Sequence, residues 1–186
     1  MNIKKVTGIT LLVLLFLAGV IGGYFYFSKV IPGEKALERT VDSSAKSEAL
    51  FSLRIYYPVE NHLQVEERRL PRRTGQIPIA EATVQEYLKG PSAAAPSDMP
   101  RDVKLIGIYK GADKILYVNL SDEFRRNFQG DVMAEFFLLK GLYESLISNV
   151  EDIQDIKVLI EGKEIETLGG HLYLLQPLKD MVSYEY

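Results

Sequence analysis

The sequence predicts an α+β fold in which a mainly antiparallel sheet carries two helices packed on one face, preceded by one N-terminal transmembrane helix. Three observations predict it. Short segments rich in β-branched and aromatic residues come in successive pairs, two stretches with the apolar spacing of a helix lie between these pairs, and a long uncharged run precedes them. Strands that follow one another in pairs favour hairpins, whereas strands that alternate singly with helices favour a parallel sheet.

Residues 1–28 are predicted to be a membrane anchor. Lys4 and Lys5 precede an uncharged run over residues 6–28. As a helix this run is about 34 Å long, which is enough to span a hydrocarbon core. Because lysines before such a run favour a cytoplasmic N-terminus, the rest of the chain is expected outside the cytoplasm. The alternative is a cleaved signal peptide, with small residues from Gly19 onward near the cleavage site.

The residues after the anchor divide into a linker, a domain and a tail. Residues 29–48 mix charges, proline, glycine and serine without sustained apolar periodicity, which is typical of a linker. A single α+β domain is expected over residues 49–180, and a short tail over residues 181–186.

The domain is predicted to begin with two strands and a helix. Residues 50–57 are rich in apolar and β-branched side chains and are followed by a proline. Residues 63–70 are more polar and are expected to pair back antiparallel as an edge strand. From Pro78 the apolar residues recur at helical spacing, and Gly90 ends the helix.

A second hairpin, a long helix and two final strands are predicted in the rest of the domain. Residues 103–109 and 115–120 have the composition of strands joined by a short turn. Asp131 is expected to cap a helix whose apolar stripe is broad enough to cover a sheet. Residues 156–160 are expected to return as a buried strand, and Gly162 permits a tight turn into a last strand.

The composition excludes several classes of function. The chain has no cysteine, which excludes disulfides, thiolate metal sites and a lipid-attached cysteine. Its 2 histidines, His62 and His171, lack the spacing of a metal site, so no metal is expected. Acidic residues outnumber basic ones across residues 76–186, the reverse of what nucleic-acid binding requires, so no nucleic-acid partner is expected.

No catalytic residue and no cofactor are expected, and we do not expect the protein to be an enzyme. Neither the glycine–serine motif of a hydrolase nor the glycine-rich loop of a nucleotide site occurs in the sequence. The carboxylates between Glu151 and Glu166 lie beside predicted turns, where a solvated surface is the ordinary interpretation. An acid–base pair would instead need two carboxyl groups that converge in a cleft.

The block Gly169-Gly170-His171, which follows a turn at Gly162, is the part of the sequence that most resembles a site. A metal centre there would need two or three further ligands. A phosphate loop would need a strand-to-helix context and more glycines. Glycines also permit a chain reversal beside a histidine that has only a structural role. We therefore interpret these four residues as a structural signature.

A basic cluster is the candidate binding surface of the folded part. Its members are Arg68, Arg69, Arg72 and Arg73. The functional interpretation is contact with an anionic surface, either lipid headgroups or an acidic partner. The alternative is a solvated strand end whose charge is partly neutralised by Glu66 and Glu67.

Four separated blocks of the folded part resemble the GerMN domain family, which takes its name from the sporulation and spore germination protein GerM. The blocks are residues 53–58, 87–91, 118–124 and 161–171, in the order and spacing of that family. The similarity extends over about residues 50–178, which is essentially the whole predicted domain.

The resemblance implies a small extracytoplasmic α+β module of bacterial envelope proteins, without known catalytic residues, that supports the localisation or assembly of a complex. We therefore expect a single-pass protein of the bacterial cytoplasmic membrane, held through residues 6–28, with its folded domain outside. Envelope proteins or a second copy of the chain are the expected partners. Binding to peptidoglycan or another wall polymer is the alternative function, and a cell-wall hydrolase is a weaker one.

Overall fold

The structure, a computed structural model of the chain, describes residues 17, 19–24, 50–92 and 99–183. The chain divides into two units, residues 1–48 and residues 49–186. In the first unit residues 19–24 are helical. Among the described residues, no helix has the length and apolar content needed to cross a membrane. Most of the predicted anchor, and the whole of the predicted linker, lie outside the described residues.

The second unit contains all the named strands and helices of the described chain. In order they are β1 (Leu50–Val59), β2 (His62–Pro71), α1 (Gln76–Leu88), β3 (Leu105–Lys110), β4 (Ile115–Leu120), α2 (Glu123–Arg126), α3 (Val132–Asn149), β5 (Asp155–Ile160) and α4 (Lys179–Val182). The strands and long helices that the sequence predicts before Gly162 are present, with ends displaced by a residue or two. Asp131 caps α3 as predicted, because its Oδ1 accepts hydrogen bonds from the N–H of Met133 and Ala134, each at 3.0 Å.

The strands form two sheets and not the one sheet that the sequence predicts. β1 and β2 form an antiparallel pair, and a second sheet has the order β3-β4-β5. In this second sheet β3 and β4 are antiparallel, but β4 and β5 are parallel. The physical reason is that α3 lies between β4 and β5 and carries the chain back to the end where β4 begins. A single strand that returns after a helix joins the sheet by a crossover, which makes its pairing parallel.

The predicted last strand does not form. The tight turn at Gly162 is present, but the pairing after it stops at one bridge between Ile160 and Lys163. Beyond this bridge the chain is irregular as far as α4, and it buries Leu168, Leu174 and Leu178 in the core. The backbone N–H groups near Leu168 bind a side chain of α3 and so are not available for a strand ladder.

The long helices connect the two sheets. α3 packs against β1, and α1 packs against both α3 and β3. The hydroxyl of Tyr87 in α1 donates to the carbonyl of Leu138 in α3 at 2.6 Å. A Cβ at Gly141 would lie 2.5 Å from the carbonyl oxygen of Tyr56, so glycine at this position lets α3 approach the edge of β1 closely. The buried side chains of both sheets and helices belong to one core.

Candidate functional site

The Gly-Gly-His block folds around one buried carboxylate. Glu135 lies in the first turn of α3 with its side chain fully buried. Its Oε1 accepts hydrogen bonds from the N–H of Leu168 at 3.1 Å and of Gly169 at 2.9 Å. Its Oε2 accepts one from the N–H of His171 at 3.1 Å and lies 2.9 Å from His171 Nδ1. A buried carboxylate without partners would be costly, and here both oxygens have them.

The two glycines of the block have different structural roles. A Cβ at Gly169 would lie 2.5 Å from Cε1 of Phe128 and 3.0 Å from Glu135 Oε2, so the loop can approach these groups only without a side chain. Gly170 has no neighbouring atom within 4 Å of such a Cβ, but its φ of 92° lies in the left-handed region that favours glycine. Together they reverse the chain and bring His171 back to α3.

The turn at Gly162 is fixed to the end of β4. Glu161 and Gly162 have φ values of 50° and 75°, which is the backbone of a two-residue hairpin turn. The N–H of Gly162 donates to Oδ1 of Asn119 at 2.7 Å. The amide of Asn119, which is buried, therefore holds this turn in place.

The contacts found for the His171–Glu135 pair among the described residues lie within the fold. In the described ranges of the chain, no three His, Asp or Glu side chains are grouped so that they could hold a metal ion. A catalytic triad would place a nucleophilic hydroxyl on the second ring nitrogen of the histidine. None of the side-chain hydrogen bonds found between described residues joins a hydroxyl to His171. The observed contacts of the pair connect α3 to the loop that contains His171.

Arg68 differs from the other arginines of the basic cluster because its side chain is mostly buried. Its side chain is 22% exposed, and its Cζ lies 5.4 Å from the centre of the Tyr57 ring. Nη2 donates to the Tyr57 hydroxyl at 3.1 Å and to the carbonyl of Gly90 at 3.0 Å, and it lies 2.9 Å from Oε2 of Glu66. Nη1 donates to Oγ of Ser92. Arg68 thus connects β2 to the segment that follows α1.

Tyr57 completes this polar network beneath β2. Burial raises the pKa of the Tyr57 hydroxyl, and the hydrogen bond from Arg68 acts in the opposite direction. The hydroxyl therefore keeps its proton at neutral pH and donates it to the carbonyl of Glu86 at 2.9 Å. Apart from Nε of Arg68, for which no hydrogen-bond partner is found among the described residues, the side-chain donors and acceptors of Arg68 and Tyr57 make contacts inside the domain.

The other three arginines of the basic cluster have their side chains at the protein surface. Arg69, Arg72 and Arg73 are exposed, and in the described part of the chain none of them forms an ion pair. Arg72 and Arg73 form part of the wall of a cleft of about 430 Å³. The other lining residues are Leu70, Pro71, Ala82, Gln85, Glu86 and Lys89. Because Glu86 and Lys89 pair with each other at 2.5 Å, the two arginines give the cleft its net positive charge.

Glu135 is the residue that sequence reasoning missed. It is the one charged residue in the apolar stretch over residues 132–139, and that isolation is the signal that could have indicated it. Its partners in the Gly-Gly-His block are more than thirty residues away in sequence, and only the packed fold brings them together.

Comparison with solved structures shows a shared fold. The chain is similar to a candidate lipoprotein from Clostridium perfringens, with a TM-score of 0.50 and 23% identity over 69% of this chain and 86% of that chain. It is similar to the first GerMN domain of the sporulation protein GerM from Bacillus subtilis, with a TM-score of 0.50 and 18% identity over 68% of this chain and 94% of that chain. No curated protein matches the chain.

The tandem GerMN domains of Bacillus subtilis GerM are also similar, with a TM-score of 0.51 and 18% identity. The match covers 71% of this chain and 48% of the tandem structure, so this chain spans about half of that protein's two-domain region.

The sequence itself matches a family. The model of the family described as "Germane: Sporulation and spore germination" matches residues 54–166, which is more than half of the chain. The matched region begins in β1 and ends just beyond the turn at Gly162. The resemblance to GerMN domains is thereby confirmed. The chain belongs to the Germane family of sporulation and spore germination domains.

Proposed function

We propose that the chain is a membrane-anchored, extracytoplasmic and non-enzymatic module that binds protein partners in the assembly of bacterial cell-envelope complexes. Membership of the Germane family supports a sporulation or germination setting. The uncharged run over residues 6–28 supports an anchor. The similar Clostridium perfringens protein is a candidate lipoprotein, which supports placement at a membrane surface. The sequence has no cysteine that could carry a lipid, so in this proposal the apolar segment is the anchor.

One observation carries the proposal. The polar groups with site-like chemistry bind other groups inside the fold, whereas the exposed arginines without such contacts among the described residues lie elsewhere. Glu135 and His171 bind each other and the loop between β5 and α4. Arg68 binds Tyr57 and Glu66. The exposed arginines at the end of β2 have no such contacts within the described chain and line an accessible cleft. Surface arginines of this kind suit the recognition of carboxylates on a partner.

The experiment is retention of envelope proteins by the immobilised 49–186 unit. Arg72→Ala/Arg73→Ala is expected to lower retention of the specific partners roughly tenfold, which is the size of effect that a central arginine contact has in an interface. The substitutions should leave the free energy of unfolding unchanged, because both side chains are exposed.

The matched control is Arg125→Ala/Arg126→Ala. It removes the same charge from α2, where both arginines pair with Asp122. Retention should stay at the wild-type level in this control. Equal retention by all three proteins, or an equal loss in both double variants, would contradict the proposal.

A wall-polymer binding role is the second candidate, and the cleft favours it specifically. Its volume of about 430 Å³ is within the usual range of small-ligand pockets, and it combines Leu70 and Pro71 with Arg72 and Arg73. Under this alternative the 49–186 unit co-sediments with purified wall material, and Arg72→Ala/Arg73→Ala abolishes co-sedimentation. If wild type does not co-sediment, the wall-polymer role is wrong.

A further inference from the structure

The two outer edges of the β1–β2 sheet differ in what covers them. Along the β1 edge, Oδ1 of Asn149 accepts a hydrogen bond from the N–H of Arg54 at 3.0 Å, and its Nδ2 donates to the carbonyl of Arg54 at 2.6 Å. Oγ of Ser145 accepts one from the N–H of Tyr56 at 2.9 Å. Two side chains of α3 therefore take the place of a neighbouring strand and close this edge.

Within the described part of the chain, the β2 edge has no such cover along its centre. Since the backbone groups of Arg54 and Tyr56 face α3, their partners Glu67 and Val65 turn their own N–H and C=O groups away from β1. The two-residue period of a strand gives Arg69 the same orientation. No backbone hydrogen bond between described residues reaches these three positions from outside the hairpin.

The side chains along the open edge carry opposite charges two residues apart. Glu67 and Arg69 are exposed, and Val65 is 49% exposed. Between residues that the structure describes, neither Glu67 nor Arg69 forms an ion pair. A free edge of this kind is a template for another strand, and its charge pattern determines which strand fits.

We propose that β2 pairs antiparallel with β2 of a second copy of this chain, so that the two hairpins form one continuous sheet. Glu67 then lies opposite the partner's Arg69, and Arg69 lies opposite the partner's Glu67, which is the symmetry of a two-fold dimer. Moving the register by two residues in either direction would place Glu67 against Glu67 or Arg69 against Arg69. Charge therefore selects one register.

The neighbouring residues are compatible with this register. Val65 lies opposite the partner's Pro71, which has no N–H, so the ladder ends there. Arg68 lies on the two-fold axis, but each guanidinium is already paired with Glu66 and stacked on Tyr57 of its own copy. The approach of the two strands therefore does not bring two uncompensated charges together.

This inference rests on the proposed function and deepens it, because it names a second copy as one partner. One pair of short strands buries less area than a stable complex in solution usually does. An anchor raises the effective concentration of the chain in the plane of a membrane, where a weak contact of this kind can form. The residues involved are separate from Arg72 and Arg73.

The absence of native cysteines makes the register measurable by disulfide formation in the full chain reconstituted in lipid vesicles. Opposed residues of a hydrogen-bonded pair have Cα atoms about 5.5 Å apart, within disulfide range. A co-reconstituted mixture of Glu67→Cys and Arg69→Cys is expected to give several-fold more oxidised dimer than either variant alone. A mixture of Glu67→Cys with Arg126→Cys, which is far along the chain on α2, is the control and should give only background.

Charge reversal provides a second readout without oxidation. Glu67→Arg and Arg69→Glu are each expected to lower energy transfer between labelled full chains several-fold, and the double variant should restore it. Equal dimer yield from the single cysteine variants, no dimer in any mixture, or no restoration by the double variant would overturn the pairing. If the pairing fails while Arg72→Ala/Arg73→Ala still loses envelope proteins, only this inference is wrong. The opposite result would contradict the proposed function and leave the pairing intact.

Discussion

The carboxylate of Glu135 is fully buried in the first turn of α3, where it accepts hydrogen bonds from three backbone N–H groups of the Gly-Gly-His loop. Its position near the N-terminal end of a helix also favours negative charge. His171 adds a side-chain contact from the loop to the same carboxylate. The loop is therefore held mainly through its backbone, and the histidine ring is one contact among four.

Glu135→Gln is expected to destabilise the domain by about 1–3 kcal/mol, because an amide presents its NH₂ group to donors and leaves part of them unpaired. Urea unfolding measures the change through the midpoint at constant slope. The exposed Glu151 supplies the control, since Glu151→Gln should change the free energy of unfolding by less than about 0.5 kcal/mol. Wild-type stability in Glu135→Gln would show that the buried carboxylate does not hold the loop.

The sequence indicates the loop but not its partner. Two adjacent glycines before a histidine are visible in the sequence, and they predict a chain reversal because of the conformations that glycine allows. The contact between this loop and Glu135 depends on how α3 packs in the fold. The local sequence pattern carries no information about that packing. In the same way, the arginine cluster is visible at once, but only the structure separates the half-buried Arg68 from the exposed Arg72 and Arg73.

Between elements, α3 closes the edge of β1 with two side chains one helical turn apart. Asn149→Ala is expected to cost about 0.5–1.5 kcal/mol, because the contact with Arg54 is near the surface and water replaces part of it. It should also speed hydrogen exchange at the Arg54 amide well beyond the change at the Ile55 amide, which faces β2. Glu151→Ala, at an exposed position just after α3, is the control. Unchanged exchange at Arg54 would contradict the edge contact.

An ion-pair cluster connects β3, the β3–β4 turn and the turn before β5. Asp152 lies 2.9 Å from Lys110 Nζ and 2.5 Å from Lys114 Nζ. Hydrogen bonds from Lys114 and then Lys110, with their positive charges, lower the pKa of Asp152 from 3.8 to about 2. A lowered folded-state pKa stabilises the fold above the unfolded value, and this stabilisation is lost as the pH falls through the folded one.

Stability should therefore fall between about pH 4 and pH 2 in the wild type, and less steeply in Asp152→Asn. Urea unfolding at a series of pH values measures the slope, and NMR titration measures the carboxyl pKa directly. Asp180→Asn, which changes an exposed carboxyl on α4, should keep the wild-type slope. Identical slopes in wild type and Asp152→Asn would show that the lysines do not hold this pKa down.

The element pattern shows what periodicity can and cannot predict. Apolar spacing and turn residues predict β1, β2, α1, β3, β4, α3 and β5, because local side-chain alternation determines them. The parallel pairing of β4 with β5 and the missing last strand are not local properties. The parallel pairing follows from the crossover through α3. The missing last strand follows from the loop after Lys163, where side-chain contacts from Glu135 replace the hydrogen bonds of a strand ladder.

In the whole molecule, the 49–186 unit has one core and no disulfide, and its stability comes from packing. Its polar interior, formed by Glu135, Tyr57 and Arg68, keeps the loops and sheets in place. Its exposed features are the arginines of the cleft and the open edge of β2. The open edge belongs to the β1–β2 hairpin, and the cleft lies between the end of this hairpin and α1. We propose that partners bind at this end of the domain.

The most direct measurement compares retention of envelope proteins by the immobilised 49–186 unit in three forms: wild type, Arg72→Ala/Arg73→Ala and His171→Ala. We predict that the double arginine variant retains roughly tenfold less of the envelope proteins than wild type does. His171→Ala should keep them, because the three backbone hydrogen bonds to Glu135 still hold the loop. Loss of retention in His171→Ala, with wild-type retention in Arg72→Ala/Arg73→Ala, would contradict the proposal and place the binding site at the Gly-Gly-His loop.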